Sequence, residues 1–323
     1  MARFVAVEEH FLSEHLPRNL VALPRPPTLP AETEQRLRDT GSSRLQSMDE
    51  NNIKFTVLSH LVADISPSDC PRINDDLHER VTQHPDRYAG FAALSMHDPD
   101  SAAVELDRSV RHLGFVGAMI PAHLPDGTFY DTPRFYPVFE AAQRLDVPIY
   151  FHPTFPTPEV RKALYEGPYP QDVAMSLAGW SAGFHFESGL NILRLFAAGL
   201  FDRFPRLKVV IGHAGELLPY LLERNWDYTS RWSVAASRTR DLRQVWDNNI
   251  WISTSASFEI SPMACLLRVT RPERIMFAVD YPMGANENGK EFMEKLHKSG
   301  LVSESQWEGI AWKNAQDLLR LKM

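Results

Sequence analysis

Residues 7–11, Val-Glu-Glu-His-Phe, place two metal-ligand side chains two positions apart at the end of an apolar run. Phe4-Val5-Ala6-Val7 reads as a buried β-strand, and successive strand side chains point to opposite faces. Glu8 and His10 therefore share a face, and Glu9 points the other way. A carboxylate oxygen and an imidazole nitrogen converging at a strand end suit a divalent cation. Three later runs stop in a similar way, at His152 after Pro148-Ile149-Tyr150-Phe151, at His213 after Val209-Val210-Ile211-Gly212, and at Asp280 after Phe277-Ala278-Val279. Burying such groups is costly unless they are paired or bound to metal. Strand ends carrying Glu8 with His10, His152, His213 and Asp280 point to one shared centre.

The elements that would bring these ends together recur along the chain. Eight strand candidates run over Phe4–Phe11, Phe55–His60, Tyr88–Ser95, Phe115–Pro121, Pro148–Pro153, Lys208–Ala214, Ile250–Ala256 and Ile275–Pro282. Helical patterns intervene at Asn74–Gln83, Ser101–Leu113, Pro133–Leu145, Glu187–Asp202, Glu216–Arg231 and Ser261–Val269, and Asp131-Thr132-Pro133 reads as a capped helix start. A last helix over Ser303–Leu321 is expected to pack outside. Apolar strands alternating with amphipathic helices imply an α/β fold, a parallel sheet covered by helices. Eight units predict a (β/α)₈ TIM-like barrel in a single domain, residues 1–323. In that fold catalytic groups gather at the carboxyl ends of the strands. Strand 8 then closes beside strand 1, bringing Asp280 near Glu8 and His10. Longer insertions after strands 1 and 5, Leu12–Gln46 and Phe155–Phe186, fall on the active face and suit a lid or subunit contact.

Bulk properties set limits. A chain of 323 residues with 44% hydrophobic content can bury one large core. A formal charge of −7 without a compensating basic run argues against nucleic acid. Two cysteines, Cys70 and Cys265, are too few for a disulfide framework and suit a reducing, cytoplasmic setting. Acids within the first ten residues argue against a signal peptide, and no apolar run is long enough for a membrane span. Neither a glycine-rich dinucleotide fingerprint nor a P-loop is present, so no organic cofactor is implied.

In this order the motifs resemble the amidohydrolase superfamily, specifically the aromatic-acid decarboxylases related to aminocarboxymuconate-semialdehyde decarboxylase. The likeness covers nearly the whole chain and is greatest to γ-resorcylate and 2,3-dihydroxybenzoate decarboxylases. It rests on Val7-Glu8-Glu9-His10-Phe11, Ala92-Ala93-Leu94-Ser95-Met96-His97-Asp98-Pro99, Gly114-Phe115-Val116-Gly117-Ala118 and Leu145-Asp146-Val147-Pro148. Gly199-Leu200-Phe201-Asp202, Gly212-His213-Ala214-Gly215-Glu216, Ile252-Ser253-Thr254-Ser255 and Asp280-Tyr281-Pro282 complete it. The resemblance implies a barrel of the amidohydrolase type, one divalent cation on Glu8, His10, His152 and Asp280, a catalytic pair of His213 with Glu216, and substrate contact by Arg224. It also implies a homo-oligomer, a dimer or tetramer. Three departures touch the expected substrate pocket or its supports. They are Thr154-Phe155-Pro156 in place of Arg-Asn-Pro, Asn191 in place of a histidine, and Met283-Gly284-Ala285-Asn286 in place of Phe-Glu-Asn.

The chemistry of the residues agrees. Binuclear members bridge two metals with a lysine from strand 4, and Phe115–Pro121 contains none. Two carboxylates and two imidazoles suit Mn²⁺ or Zn²⁺, with Mg²⁺ a third option. Such an ion can chelate the carboxylate and ortho hydroxyl of a salicylate-like small aromatic acid. Decarboxylation of an arene needs protonation at the carbon bearing the carboxylate; Asp280 is the candidate acid, and His213, oriented by Glu216, a candidate proton relay. Trp180, Phe184, Phe258 and Tyr281 are expected as aromatic walls. Two rival readings are a metal-dependent hydrolase of an amide or lactone, and a barrel that binds a ligand without turnover.

Overall fold

The structure, a computed structural model, describes residues 3–16 and 30–323. Its strands are β1 (Phe4–Phe11), β2 (Ile53–His60), β3 (Tyr88–Ala93), β4 (Gly117–Pro121), β5 (Pro148–His152), β6 (Lys208–Ile211), β7 (Ile250–Ser253) and β8 (Ile275–Met276). They pair in sequence order, all parallel, with helices between them. Between β8 and β1 the junction is made by Val7 N to Phe277 O, Asp280 N to Glu8 O and His10 N to Tyr281 O, at 2.7 to 3.2 Å. The result is a nearly closed (β/α)₈ barrel of the TIM type.

Two layers of core follow from the alternation of strand side chains. Outward residues such as Phe4, Ala6, Leu58, Phe151 and Ile211 pack under the helices. Inward residues such as Val5, Val7, Phe55, Phe91, Val210 and Met276 fill the barrel, and Ala315, Leu318, Leu319 and Leu321 pack among them. The C-terminal segment is therefore not an outer helix, as its periodicity suggests. It plugs the barrel at the end away from the ligand-bearing strand termini. It comprises Glu304–Glu308 and Asn314–Leu319, joined by a wider turn over Gly309–Lys313.

Several expected bounds shift for identifiable reasons. The ladder of β8 stops at Met276 because side chains take the next backbone groups. Thr254 Oγ1 bonds both Ala278 N and Ala278 O, and the Glu9 carboxylate accepts from Val279 N and Tyr281 N. After β6 the chain leaves the sheet through left-handed residues His213, Ala214, Glu216 and Leu217, so the strand ends at Ile211. The helix expected over Glu187–Asp202 is two, Gly183–Ala197 and Leu200–Arg203, separated by Gly199 at φ 80°. Thr132 precedes a 3₁₀ turn without a side-chain cap, and Asp131 pairs instead with Arg194 at 2.7 Å.

Of the two insertions, the first has helices Ala31–Arg38 and Ser42–Glu50; its residues 17–29 lie outside the described part. The second carries Pro158–Leu164 and Gln171–Ala178, then leads into Gly183–Ala197. No helix among the described residues is long and apolar enough to cross a membrane.

Candidate metal centre and proton relay

Glu8, His10, His152 and Asp280 come together at the carboxyl ends of β1, β5 and β8, each offering a ligand atom within 4.8 Å of the others. On β1 a register shift between Ala6 and Glu9 breaks strict alternation. That bulge lets Glu8 and His10 face the same interior as Val5 and Val7, while Glu9 turns outward.

Three of the four candidate ligands are aimed by a second group. The Tyr150 hydroxyl donates to Glu8 Oε2, which also accepts from Ser253 Oγ at 3.0 Å. Gly212 lies against this pair: a Cβ there would come within 2.7 Å of Glu8 Oε2. Ser59 Oγ lies 3.2 Å from His10 Nδ1 and donates to the Glu9 carbonyl, so Nδ1 is the protonated nitrogen. His152 Nδ1 donates to Pro153 O at 2.7 Å. Both imidazoles thus present an Nε2 lone pair to the centre, the arrangement that orients metal-binding histidines. Burial and the neighbouring His10 lower the pKa of His152 and favour the neutral, ligating form.

The donor set fits a cation. Glu8 Oε1, His10 Nε2 and Asp280 Oδ1 are buried and find no hydrogen-bond partner among the described residues. Unpaired buried polar atoms are expensive, and three converging on one point indicate a missing charge rather than three separate defects. His10 Nε2 is 3.1 Å from Asp280 Oδ1, and His152 Nε2 is 3.5 Å from Glu8 Oε1.

Beside this centre stands a second cluster. His213 Nδ1 donates to Glu216 Oε1 at 2.8 Å, and His213 Nε2 faces Asp280 Oδ2 at 3.8 Å. Burial opposes charge on His213, but the carboxylates of Glu216 and Glu8 outweigh it and hold the imidazole well above its usual pKa. Burial also pushes Glu216 up, yet His213 and His185 bring it down to about 2. Asp280, raised by burial, is held below the ordinary carboxylate range by the neighbouring imidazoles of His10 and His213. Both directions favour an imidazolium at His213 beside an Asp280 carboxylate. Left-handed backbone at His213, Ala214, Glu216, Leu217 and Asp280 is the kind of strain that concentrates at functional sites.

His185 was not anticipated. It donates through Nδ1 to Glu216 Oε2 at 2.7 Å, while its other ring nitrogen faces Trp180 O at 3.1 Å. Both Nδ1 groups around Glu216 are spent on it, so His185, His213 and Glu216 form a hydrogen-bonded relay rather than a second ligand set. Its only sequence signal is a histidine within the second insertion. Tyr150, in contrast, shares the strand face of His152 at spacing two and was readable.

Arg224 does not join the cavity. On helix Leu218–Thr229 the buried residues are Leu218, Pro219, Leu222 and Thr229, and Arg224 falls on the opposite side. It is exposed, bonded to the Tyr228 hydroxyl at 3.4 Å and stacked 4.6 Å from that ring. The aromatic walls are also partly different. Trp180 and Phe184 line the cavity, joined by Phe155, but Phe258 packs near Phe292 and Tyr281 is buried beneath Arg44. Of the three departures, Thr154-Phe155 and Met283 reach the cavity; Asn191 is fully buried with both amide atoms unpaired among the described residues.

The amidohydrolase family profile matches residues 15–321. "Decarboxylase orsB" of Emericella nidulans is 44% identical, over 99% of this chain and 97% of its own length. Gamma-resorcylate decarboxylase of Polaromonas sp. is 33% identical, over 98% of each chain. Among solved structures, 2,6-dihydroxybenzoate decarboxylase complexed with 2,6-dihydroxybenzoate matches at TM-score 0.88 and 30% identity, over 99% of this chain and 100% of its own. The Polaromonas dihydroxybenzoic acid decarboxylase, with bound manganese and the inhibitor 2-nitroresorcinol, matches at TM-score 0.88 and 31% identity, over 99% and 98%.

Proposed function

The chain belongs to the amidohydrolase family, and from that premise we propose that it removes CO₂ non-oxidatively from an ortho-hydroxylated aromatic carboxylic acid, leaving a phenol. It is a carboxy-lyase with one divalent metal ion, manganese being the ion in a solved neighbour. The observation that carries this reading is the pairing of a buried four-residue centre with the hydrogen-bonded His213–Glu216 pair in one cavity.

Glu8, His10, His152 and Asp280 would hold the ion, which when bound supplies a Lewis-acid anchor for the substrate carboxylate and ortho oxygen. The remaining work falls to the chain. Asp280 and His213 both line the cavity, with His213 Nε2 3.8 Å from Asp280 Oδ2. His213 holds the proton, Glu216 fixes its tautomer, and Asp280 relays the proton to the ring carbon bearing the carboxylate. That carbon gains a hydrogen, the bond to CO₂ breaks, and its electron pair restores the aromatic ring. The solvent then returns a proton to His213.

The hydrolase reading is disfavoured because full-length relatives are decarboxylases and β4 carries no lysine to bridge a second ion. The whole chain is read as one domain, working in the cytoplasm without nucleic acid or membrane. Free Cys70 and Cys265 and the charge of −7 support this. A homodimer or homotetramer is part of the proposal, supported by exposed Leu221, Tyr228 and Trp232 near Arg224. Arg224 would then meet a carboxylate only across a contact between copies. The test is incubation of Mn²⁺-loaded protein with ortho-hydroxybenzoates and their methyl ethers, following CO₂ and phenol. Turnover of the hydroxy acids alone supports the reading, and equal turnover of the ethers rejects it.

A further inference from the structure

We infer that the substrate carries an apolar substituent on its ring, and that Phe155, Trp180, Phe184 and Met283 form the subsite that receives it. This rests on the decarboxylase reading and names the class of acid within it.

The cavity above the metal ligands measures about 1020 Å³. That is at the upper end of the range, roughly 300–1,000 Å³, in which sites enclose drug-sized molecules. A single ring with its carboxylate, anchored among the buried ligands at the floor, leaves most of that space unfilled. The ring edge opposite the carboxylate must then point toward the mouth.

Polarity is distributed unevenly along this path. His10, His152, His185, His213 and Asp280 are the titratable imidazole and carboxylate groups of the cavity, and the ligand and relay geometry gathers them at its floor. No Lys, Arg, Glu, Asn or Gln is among the described residues lining it. Away from the floor the polar lining consists of hydroxyls, those of Thr33, Thr154, Tyr220, Ser257 and Ser261, with no charged partner for a second carboxylate or a charged tail. The wall is instead aromatic and interlocked. Phe155 meets Phe184 edge-on with ring centroids 4.7 Å apart and Trp180 edge-on at 6.3 Å. At the rim large apolar side chains stay open to water, Trp180 58% and Met283 43% exposed. Apolar surface clustered around one opening marks a binding surface rather than scattered exposure. An alkyl or aryl group projecting from the anchored ring covers it.

Phe155 and Met283 each follow one of the candidate ligands, His152 and Asp280, by three residues, and both side chains line the cavity.

The test uses the Mn²⁺-loaded enzyme and a series of ortho-hydroxybenzoates carrying hydrogen, methyl, propyl or pentyl at one ring position. We expect kcat/KM to climb by about threefold per buried methylene, so that the pentyl acid exceeds the unsubstituted one by a factor on the order of 10². Trp180→Ser, at a position more than half exposed, should cut that ratio several-fold. The matching alkylphenols should inhibit with affinities that rise in the same order. A flat or falling series, or a ratio unmoved by Trp180→Ser, overturns the inference while leaving the decarboxylase reading intact. If no acid in the series releases CO₂, the decarboxylase reading itself fails.

Discussion

His10 Nε2 and Asp280 Oδ1 lie 3.1 Å apart, buried, and neither has a hydrogen-bond partner among the described residues. The two atoms come from opposite ends of the sequence and meet where β8 closes against β1. With His10 protonated on Nδ1, the pair presents two lone-pair-bearing atoms to one point. A cation satisfies both; a simple ion pair would satisfy only one protonation state.

The purified protein should accordingly carry near one equivalent of divalent metal. His152→Ala should lower occupancy and activity together, measured by elemental analysis and CO₂ release. Full activity from protein stripped of metal would remove the cation from the account.

Asp280→Asn keeps the side-chain shape but loses a charge and the ability to relay a proton. We expect a folded barrel with activity down by a factor on the order of 10² or more. His213→Asn should be comparably impaired. Glu216→Gln turns an amide NH₂ toward one of two imidazole N–H groups, so it should lose more than a remote charge would. Wild-type turnover by Asp280→Asn would leave His213 or water as the donor.

Arg44 is 2% exposed, donates to His10 O at 2.7 Å and stacks 4.8 Å from the Tyr281 ring. It also faces Glu9, which burial pushes up to about 8 against the Arg44 charge and two backbone donors. Arg44→Met should destabilise the protein by roughly 1–3 kcal/mol, the scale for leaving a buried carbonyl such as His10 O without its donor. Arg44→Lys should fold better yet bind Mn²⁺ about 10-fold more weakly, because the support behind His10 changes. Unchanged Mn²⁺ affinity in titration calorimetry would show that Arg44 acts on the fold alone.

His60 is buried, and burial lowers its pKa from 6.5 to about 4, partly opposed by its bond to Leu61 O. The folded state thus prefers neutral His60. Its contribution to stability is full above pH 6.5 and is lost as pH falls toward 4. Metal-free wild type should therefore lose about 2 kcal/mol more than His60→Leu between pH 7 and pH 5 in urea unfolding. Parallel losses in the two proteins would show that His60 is not held neutral.

What could be read from the sequence differs by element. β1 matches residue for residue because Phe4 to Val7 is apolar and its ligands sit at the end. That Glu8 shares the interior with Val7 was not readable, since the bulge that resets alternation depends on pairing with β2. The ladder of β8 ends early because Thr254 and Glu9, distant in sequence, take its hydrogen bonds. Helix Leu242–Asn249 was missed although Asp241 and Gln244 form a capping box that was there to be read. His185 meets Glu216 across 31 positions, which no local pattern reports. The direction of Arg224 turned on helix phase, and Leu222 and Leu218 decide it.

The most direct test of decarboxylation through an enzyme-held proton is turnover of an ortho-hydroxybenzoate in D₂O with product analysis by mass spectrometry and NMR. The relay of Asp280 and His213 predicts one deuterium, placed at the ring carbon that lost the carboxylate, with CO₂ as the other product. Release of an acid or alcohol from an amide or lactone, with labelled water oxygen in the product and no ring deuterium, would contradict it.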